Sequence, residues 1–370
     1  MKSLLTITET WTCPVFSGAS VIGGLNQFIS DYCEPASPVF VLVDENTRKH
    51  CLPVLLSDTP CLQHAAILEM GSGEEQKNRE TAEHLWKELD RLHADRRSIL
   101  INLGGGVVTD VGGFVAATFN RGIRFLHVPT TLMGMVDAAI GGKTGMNLHG
   151  IKNRVGLFAL PEAVFIYPGF LRTLDRENIR SGLAEVVKYA LTLDENLWKE
   201  LEAETVADLL VRPYQDPEWE DLITRSVEIK HKVVRKDFFD RGYRRILNFG
   251  HTFGHLFESL SWWYGNGSLL HGNAVAMGMI CECYLSTRLS GLKEKDLDRI
   301  SSWILRNFGY FPVPGGSGEK TAEILERDKK RIGQQLNLTL LAKPGKAFTG
   351  RNCGQEMISE ALLWYRNLGQ

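Results

Sequence analysis

Short, nearly continuous apolar runs alternate with stretches of helical spacing through the first half of the chain. The runs PVFVLVDEN (38–46), AAILEMGSGE (65–74), SILINLGGG (98–106), IRFLHVPTT (123–131) and AVFIYP (163–168) are rich in Val, Ile and Leu. Strands of that kind are buried on both faces, so they predict a mostly parallel sheet covered by the intervening helices. After Leu174 the strand pattern stops. SGLAEVVKYALT, WEDLITRSVEIKHKVVRKD, GHTFGHLFESL, NAVAMGMICECYLSTRL, TAEILERDKKRIG and QEMISEALLWYRNL place apolar residues three and four apart, which predicts helices. The expected organisation is an α/β domain over 1–175 and an all-α domain over 176–370, with a ligand between them. No internal repeat or low-complexity segment interrupts it.

Composition adds mainly exclusions. With 370 residues, 44% hydrophobic and 23% charged, the chain reads as an ordinary globular protein with room for two cores. A net charge of -2 provides no global field for nucleic acid or an anionic membrane, so a bound anion must be held by a local cluster and the expected partner is a small molecule. The opening stretch MKSLLTITETWTCPV lacks the apolar core of a secretion signal, and no segment reaches about 18 uninterrupted apolar residues, which predicts a cytoplasmic protein. The seven cysteines form no regular framework and are expected to be reduced. Cys281 and Cys283 are the one close pair, read as core packing ahead of metal binding.

Three stretches carry candidate chemistry. In NLGGGVVTDVGGF (102–114), glycines directly after a strand let the backbone approach a phosphate, and the following helix offers it free N–H groups. Together with the alternating pattern, this makes the first domain Rossmann-like and nucleotide-binding. Thr109 stands where a dinucleotide fingerprint has its third glycine, so a plain tight turn is the alternative. Asp44 ends a strand where a carboxylate commonly accepts from ribose hydroxyls, the alternative being a helix N-cap. VPTTLMGMVDAAIGGKTGMNLHGIKN (128–153) gathers Gly141, Gly142, Gly145 and Gly150 with Asp137, Lys143, Lys152 and Asn153. It reads as an anion pocket, or else as a surface loop with solvated charges. In RRILNFGHTFGH (244–255), His251 and His255 share a helix face and can bring one or both imidazoles to a metal, with Glu185 and His271 to complete the set. Satisfied core histidines are the alternative. Two imidazoles and a carboxylate with an open position suit a catalytic zinc polarising a hydroxyl or carbonyl. Lys188, Lys230, Arg244, Lys329 and Lys330 add cations that, taken singly, read as solvated helix charge.

The ordered blocks GGGVVTDVGGFVAATFNRGIRF, VPTTL, VDAAIGGKTGMN, KN, GLAEVVKYAL, LNFGHTFGH and LHGNAVAMGM resemble the 3-dehydroquinate synthase family of the sugar phosphate cyclase superfamily, over about Asp44 to Lys330. The resemblance implies a dehydroquinate synthase-like fold, with an NAD-binding α/β domain followed by a helical metal- and substrate-binding domain. It also implies the conversion of 3-deoxy-D-arabino-heptulosonate 7-phosphate into 3-dehydroquinate and phosphate, by transient oxidation, elimination, re-reduction, ring opening and an internal aldol step. NAD is then required but not consumed. By the same resemblance the ligands of a divalent metal, zinc or cobalt, are Glu185, His251 and His271, and His255 lies on the substrate side. NAD is held by Asp44, Asn46, Glu74, Lys77, Gly104, Gly105, Gly106, Asp110, Thr130, Thr131, Lys143, Lys152, Phe170 and Thr173. The substrate meets Asp137, Lys143, Lys152, Asn153, Lys188, Lys230, Arg244, Asn248, His255 and one of Lys329 and Lys330, with Lys230 and Arg244 facing its carboxylate. Arg121 resembles an arginine that reaches the neighbouring site of a homodimer.

Three positions depart from the family pattern: Asn273 where a glutamate is usual, Asp240 for a glutamate, and Tyr167 for an aspartate. The rival readings are an inosose- or valiolone-forming cyclase, a metal-dependent alcohol dehydrogenase that releases NADH, and a non-catalytic NAD-binding scaffold.

Overall fold

All five apolar runs are strands in the computed structural model, which describes residues 2–5, 13–32, 37–149, 151–214, 216–263, 269–313, 331–332 and 335–369. Nine strands belong to the first part of the chain: β1 (Lys2–Leu5), β2 (Val15–Ser17), β3 (Val39–Asp44), β4 (Ala66–Met70), β5 (Ile99–Gly104), β6 (Arg124–Pro129), β7 (Lys143–Leu148), β8 (Ile151–Phe158) and β9 (Ala163–Ile166). Seven of them make one sheet in the order β1-β2-β9-β6-β5-β3-β4, and β7 and β8 form a separate antiparallel pair. Every pairing in the large sheet is parallel except β1 with β2. β5 is buried along its whole length, as its unbroken apolar run requires.

The chain moves outward from β3 to β4, then returns past β3 to β5 and on through β6 and β9. That reversal between β3 and β5 is the switch point of a doubly wound sheet, where ligands bind beyond the carboxyl ends of the strands. Asp44 ends β3 and Gly104 ends β5. The helices of this region are α1 (Val21–Tyr32), α2 (Glu45–His50), α3 (Leu52–Ser57), α4 (Arg79–Arg91) and α5 (Gly106–Thr118).

After residue 175 come α6 (Arg176–Leu193), α7 (Glu195–Ala203), α8 (Val206–Leu210), α9 (Pro217–Lys236), α10 (His251–Trp263), α11 (His271–Leu289), α12 (Glu294–Phe308) and α13 (Gln355–Asn367). The chain forms two compact units, Met1–Asp175 with Pro213–Phe239, and Arg176–Arg212 with Asp240–Gln370. A single cut at 175 therefore misses α9, which belongs to the first unit. Lys230 of α9 reaches the short π-helical turn Gly134–Ala138, and Phe238 just beyond it meets Phe158 of β8 with ring centroids 5.5 Å apart.

The second unit also carries a small antiparallel sheet of β10 (Arg331–Ile332), β11 (Gln335–Lys343) and β12 (Lys346–Cys353). Leu336, Leu338 and Leu340 are buried at the two-residue spacing of a strand, and Gly345, with φ of +78°, makes the tight turn into β12. Of the helix expected over TAEILERDKKRIG, Arg331 and Ile332 are strand; residues 321–330 lie outside the described residues. Among the described residues no helix is long and apolar enough to cross a membrane. Cys281 and Cys283 are buried in α11 with thiols that burial pushes well above the ordinary range, so they are core groups.

Candidate functional site

Three helices of the second unit bring the predicted metal ligands together. Two close approaches make this possible. A Cβ at Gly272 would run into the Ser181 carbonyl, so only glycine lets the start of α11 lie against α6, where the Ser181 hydroxyl accepts from the Gly272 N–H at 2.9 Å. A Cβ at Gly278 would collide with the Gly250 carbonyl, which fixes α11 against the start of α10. Glu185 lies one turn beyond Ser181 on α6, His271 beside Gly272 and His251 beside Gly250, so these contacts set the spacing of the three side chains.

Glu185 is fully buried, an arrangement that is costly for a carboxylate unless both oxygens are served. Oε2 accepts from the Lys188 ammonium, itself 1% exposed. Oε1 is buried and accepts no hydrogen bond. Facing it are His251 Nε2 at 3.6 Å and His271 Nε2 at 3.8 Å. His251 Nδ1 lies 3.2 Å from the Phe249 carbonyl and His271 Nδ1 lies 3.1 Å from Glu258 Oε1. Both partners are acceptors, so each Nδ1 carries the proton and each Nε2 turns a lone pair toward Glu185. One oxygen and two nitrogens that lie within 4.8 Å of one another are a donor set for a divalent cation, which would also satisfy the orphaned oxygen.

His255 is exposed one turn further along α10, with its ring stacked on His271 at 6.0 Å between centroids. It belongs to a second group that could hold a metal, with Glu258 and His271. The buried set fits better, because there the His271 nitrogen bearing the lone pair points at an oxygen lacking a partner. Arg244 is 3% exposed and Asn248 half-buried, both in the turn Tyr243–Asn248. Lys329 and Lys330 lie outside the described residues.

The first unit collects the nucleotide-side and loop residues. Helix α5 begins at Gly106 with no side-chain cap, leaving its first N–H groups for a ligand. Packing also accounts for two of the glycines, since a Cβ at Gly104 would meet Val108 at 2.5 Å and one at Gly105 would meet Thr131 at 2.9 Å. Asp44 caps α2, with Oδ1 accepting from the Thr47 N–H at 2.7 Å and from its hydroxyl at 2.9 Å. Asn46 is exposed in the first turn of α2. Lys77 pairs with Asp110 at 2.5 Å. Glu74 accepts from Asn147 Nδ2 at 2.8 Å, and Asn147 Oδ1 accepts from the Asn153 N–H at 2.8 Å. Thr130 donates its N–H to the Gly104 carbonyl at 3.0 Å, while the Thr131 hydroxyl accepts from the Gly134 N–H at 3.0 Å. Phe170 is buried, and Thr173 donates its hydroxyl to the Phe170 carbonyl at 3.0 Å.

Lys230 is 5% exposed and spans from α9 to Asp137, with Nζ 2.7 Å from Oδ1 and 2.5 Å from the carbonyl. Lys143 is exposed at the start of β7, Lys152 is half-buried on β8, and Arg121 is exposed with φ of +67°. Sequence reasoning missed Glu258, Glu282 and Asn147. Glu282, buried on α11, accepts from the N–H groups of Gly250 and Thr252 at 2.7 and 3.2 Å and so caps the helix that presents His251. Its signal was a lone carboxylate in the apolar run ICECY.

The family model described as 3-dehydroquinate synthase N-terminal matches residues 67–181, and 3-dehydroquinate synthase C-terminal matches 182–331. The curated 3-dehydroquinate synthase of Parabacteroides distasonis is 41% identical over 328 residues, covering 89% of this chain and 91% of its own. The chain belongs to the 3-dehydroquinate synthase family. It is accordingly an enzyme, a lyase. A second 3-dehydroquinate synthase, from Methylacidiphilum infernorum, is 42% identical over 80% of this chain and 79% of its own. Among solved structures, 2-epi-5-epi-valiolone synthase from Streptomyces hygroscopicus, with NAD+ and Zn2+ bound, superposes with a TM-score of 0.82 at 25% identity, over 98% of this chain and 99% of its own. Both halves of the 3-dehydroquinate synthase match are present, and the C-terminal one spans Glu185, His251 and His271.

Proposed function

We propose that the chain converts 3-deoxy-D-arabino-heptulosonate 7-phosphate into 3-dehydroquinate and phosphate, with a divalent metal held by Glu185, His251 and His271 and with NAD held by the first unit. The observation that carries the reading is the buried Glu185 Oε1, which accepts no hydrogen bond and faces two imidazole Nε2 atoms. The related cyclase with NAD+ and Zn2+ bound supports the same pair of cofactors. When bound, the metal supplies Lewis-acid polarisation of a substrate oxygen and NAD supplies a hydride acceptor that is restored within each turnover.

The chain's own residues do the rest. Lys188 holds Glu185 Oε2 and so keeps Oε1 turned toward the histidines. NAD would be held beyond the carboxyl ends of β3 and β5, where the uncapped start of α5 offers N–H groups to phosphates. Asp44, Asn46, Glu74, Lys77, Gly104, Gly105, Gly106, Asp110, Thr130, Thr131, Phe170 and Thr173 would hold it. Arg244 grips the substrate carboxylate in a fork, and Lys230, already paired with Asp137, adds charge for the same group. Lys143, Lys152, Asn153, Asn248 and His255, with one of Lys329 and Lys330, serve the sugar hydroxyls and the phosphate. The enzyme acts as a cytoplasmic homodimer in which Arg121 reaches the neighbouring site.

The test follows phosphate release from the seven-carbon keto acid phosphate with NAD far below the substrate concentration. Phosphate should accumulate well beyond the NAD present, with no net rise in NADH absorbance. NADH rising in step with product would replace this reading with that of a dehydrogenase.

A further inference from the structure

We propose that Glu258 is a positioning residue that sets the tautomer and the aim of the metal ligand His271. The inference rests on the ligand set proposed above. Glu258 is 6% exposed on α10, seven residues after His251 and therefore on the same helix face. Its Oε1 lies 3.1 Å from His271 Nδ1, so a carboxylate on one helix holds the imidazole of the next while the other ring nitrogen looks at Glu185 Oε1 across 3.8 Å. Helix α10 thus contributes twice to the site: directly through His251, and through α11 by fixing His271.

The consequence is chemical as well as geometric. A neutral imidazole has two tautomers, and only the one protonated at Nδ1 offers Nε2 to a cation. An anionic acceptor on Nδ1–H selects that form, restrains ring rotation and makes Nε2 a better donor, effects worth 10- to 100-fold in metal affinity in comparable sites. The residue after Gly272, where the family usually has a glutamate, is here Asn273, whose Oδ1 is buried and accepts no hydrogen bond. Glu258 places a carboxylate within hydrogen-bond reach of His271 Nδ1.

The experiment measures Co2+ affinity of the full chain by competition with a chelator, together with the visible absorption of the bound cobalt. Glu258→Ala is expected to bind about 100-fold more weakly, and the isosteric Glu258→Gln about 10-fold more weakly, with a shifted cobalt spectrum. Metal-free Glu258→Gln should unfold close to the wild-type temperature, which separates positioning from simple support of the fold. Wild-type affinity in Glu258→Gln overturns the proposal, and that variant decides alone if Glu258→Ala does not fold. His255→Ala should retain the metal. If it loses the metal as fully as His271→Ala, Glu258 is a ligand in the second cluster and the positioning role is overturned. Glu185→Gln serves as the separate control: unchanged affinity there would sink the ligand set itself, whatever Glu258 does.

Discussion

Arg244 is 3% exposed, and a cation so far out of water must be matched by acceptors to remain in place. Its planar guanidinium can give a carboxylate two parallel hydrogen bonds, so on the proposed reading it separates a keto acid phosphate from sugar phosphates without the acid. Arg244→Ala should lower kcat/KM on the keto acid phosphate about a hundredfold, or on the order of 3 kcal/mol. Arg244→Lys should also be poor, because an ammonium cannot reproduce the fork. The comparison substrate is sedoheptulose 7-phosphate. Faster wild-type turnover of that sugar than of the keto acid, or an intact keto acid reaction in Arg244→Ala, would assign the chain to another branch of the cyclases.

Helix α11 touches α6 at the Gly272–Ser181 contact, and the proposed metal site depends on that spacing. A methyl group at position 272 must push the helices apart, separating Glu185 from His271. Gly272→Ala is expected to lose stability by about 1–3 kcal/mol and to weaken metal binding by more than tenfold. Wild-type metal affinity in a variant that unfolds earlier would show that the ligands tolerate the shift. In the first unit, His127 of β6 is buried beside Asn102 of β5, whose Nδ2 lies 3.2 Å from Nδ1, and burial pushes its pKa from 6.5 down to about 3. The unfolded chain therefore takes up a proton below pH 6.5 that the folded chain refuses until about pH 3. The stability tied to the neutral ring is whole above pH 6.5 and falls as pH drops, by up to about 1.4 kcal/mol per pH unit. Urea unfolding of His127→Gln across pH 4 to 7 should show a shallower acid decline than wild type; parallel curves would mean that another group governs that limb. These same strands were legible because continuous apolar runs leave little choice but a covered parallel sheet. The hairpin of β11 and β12 was not expected in a domain read as all-α, although Leu336, Leu338 and Leu340 alternate as a strand does. The attachment of α9 to the first unit was not legible, because it depends on the partners of Lys230 and Phe238, and those are known only once the chain has folded.

A net charge of -2 leaves binding to be organised locally. Residue type and spacing singled out His251 and His255 with Glu185 and His271, and the family resemblance narrowed them to Glu185, His251 and His271. Glu258 was not singled out, since a glutamate on an amphipathic helix reads as a solvated face until another helix is laid over it. All three proposed metal ligands belong to the second unit, whereas the switch point of the parallel sheet belongs to the first. A ligand that binds only folded protein stabilises what it touches by about 2.7 kcal/mol at a hundred times its Kd. Amide exchange should resolve the two contributions, because local opening reports local free energy. Removing the metal with a chelator is expected to speed exchange in α6, α10 and the start of α11 by up to about a hundredfold, while β3, β5 and α5 change little. NAD added to the metal-free protein should slow exchange at the ends of β3 and β5 and the first turn of α5, leaving α10 unprotected. If the chelator exposes β5 and α5 as strongly as α10, the metal is not held by the second unit alone, and the division of cofactors between the units is wrong.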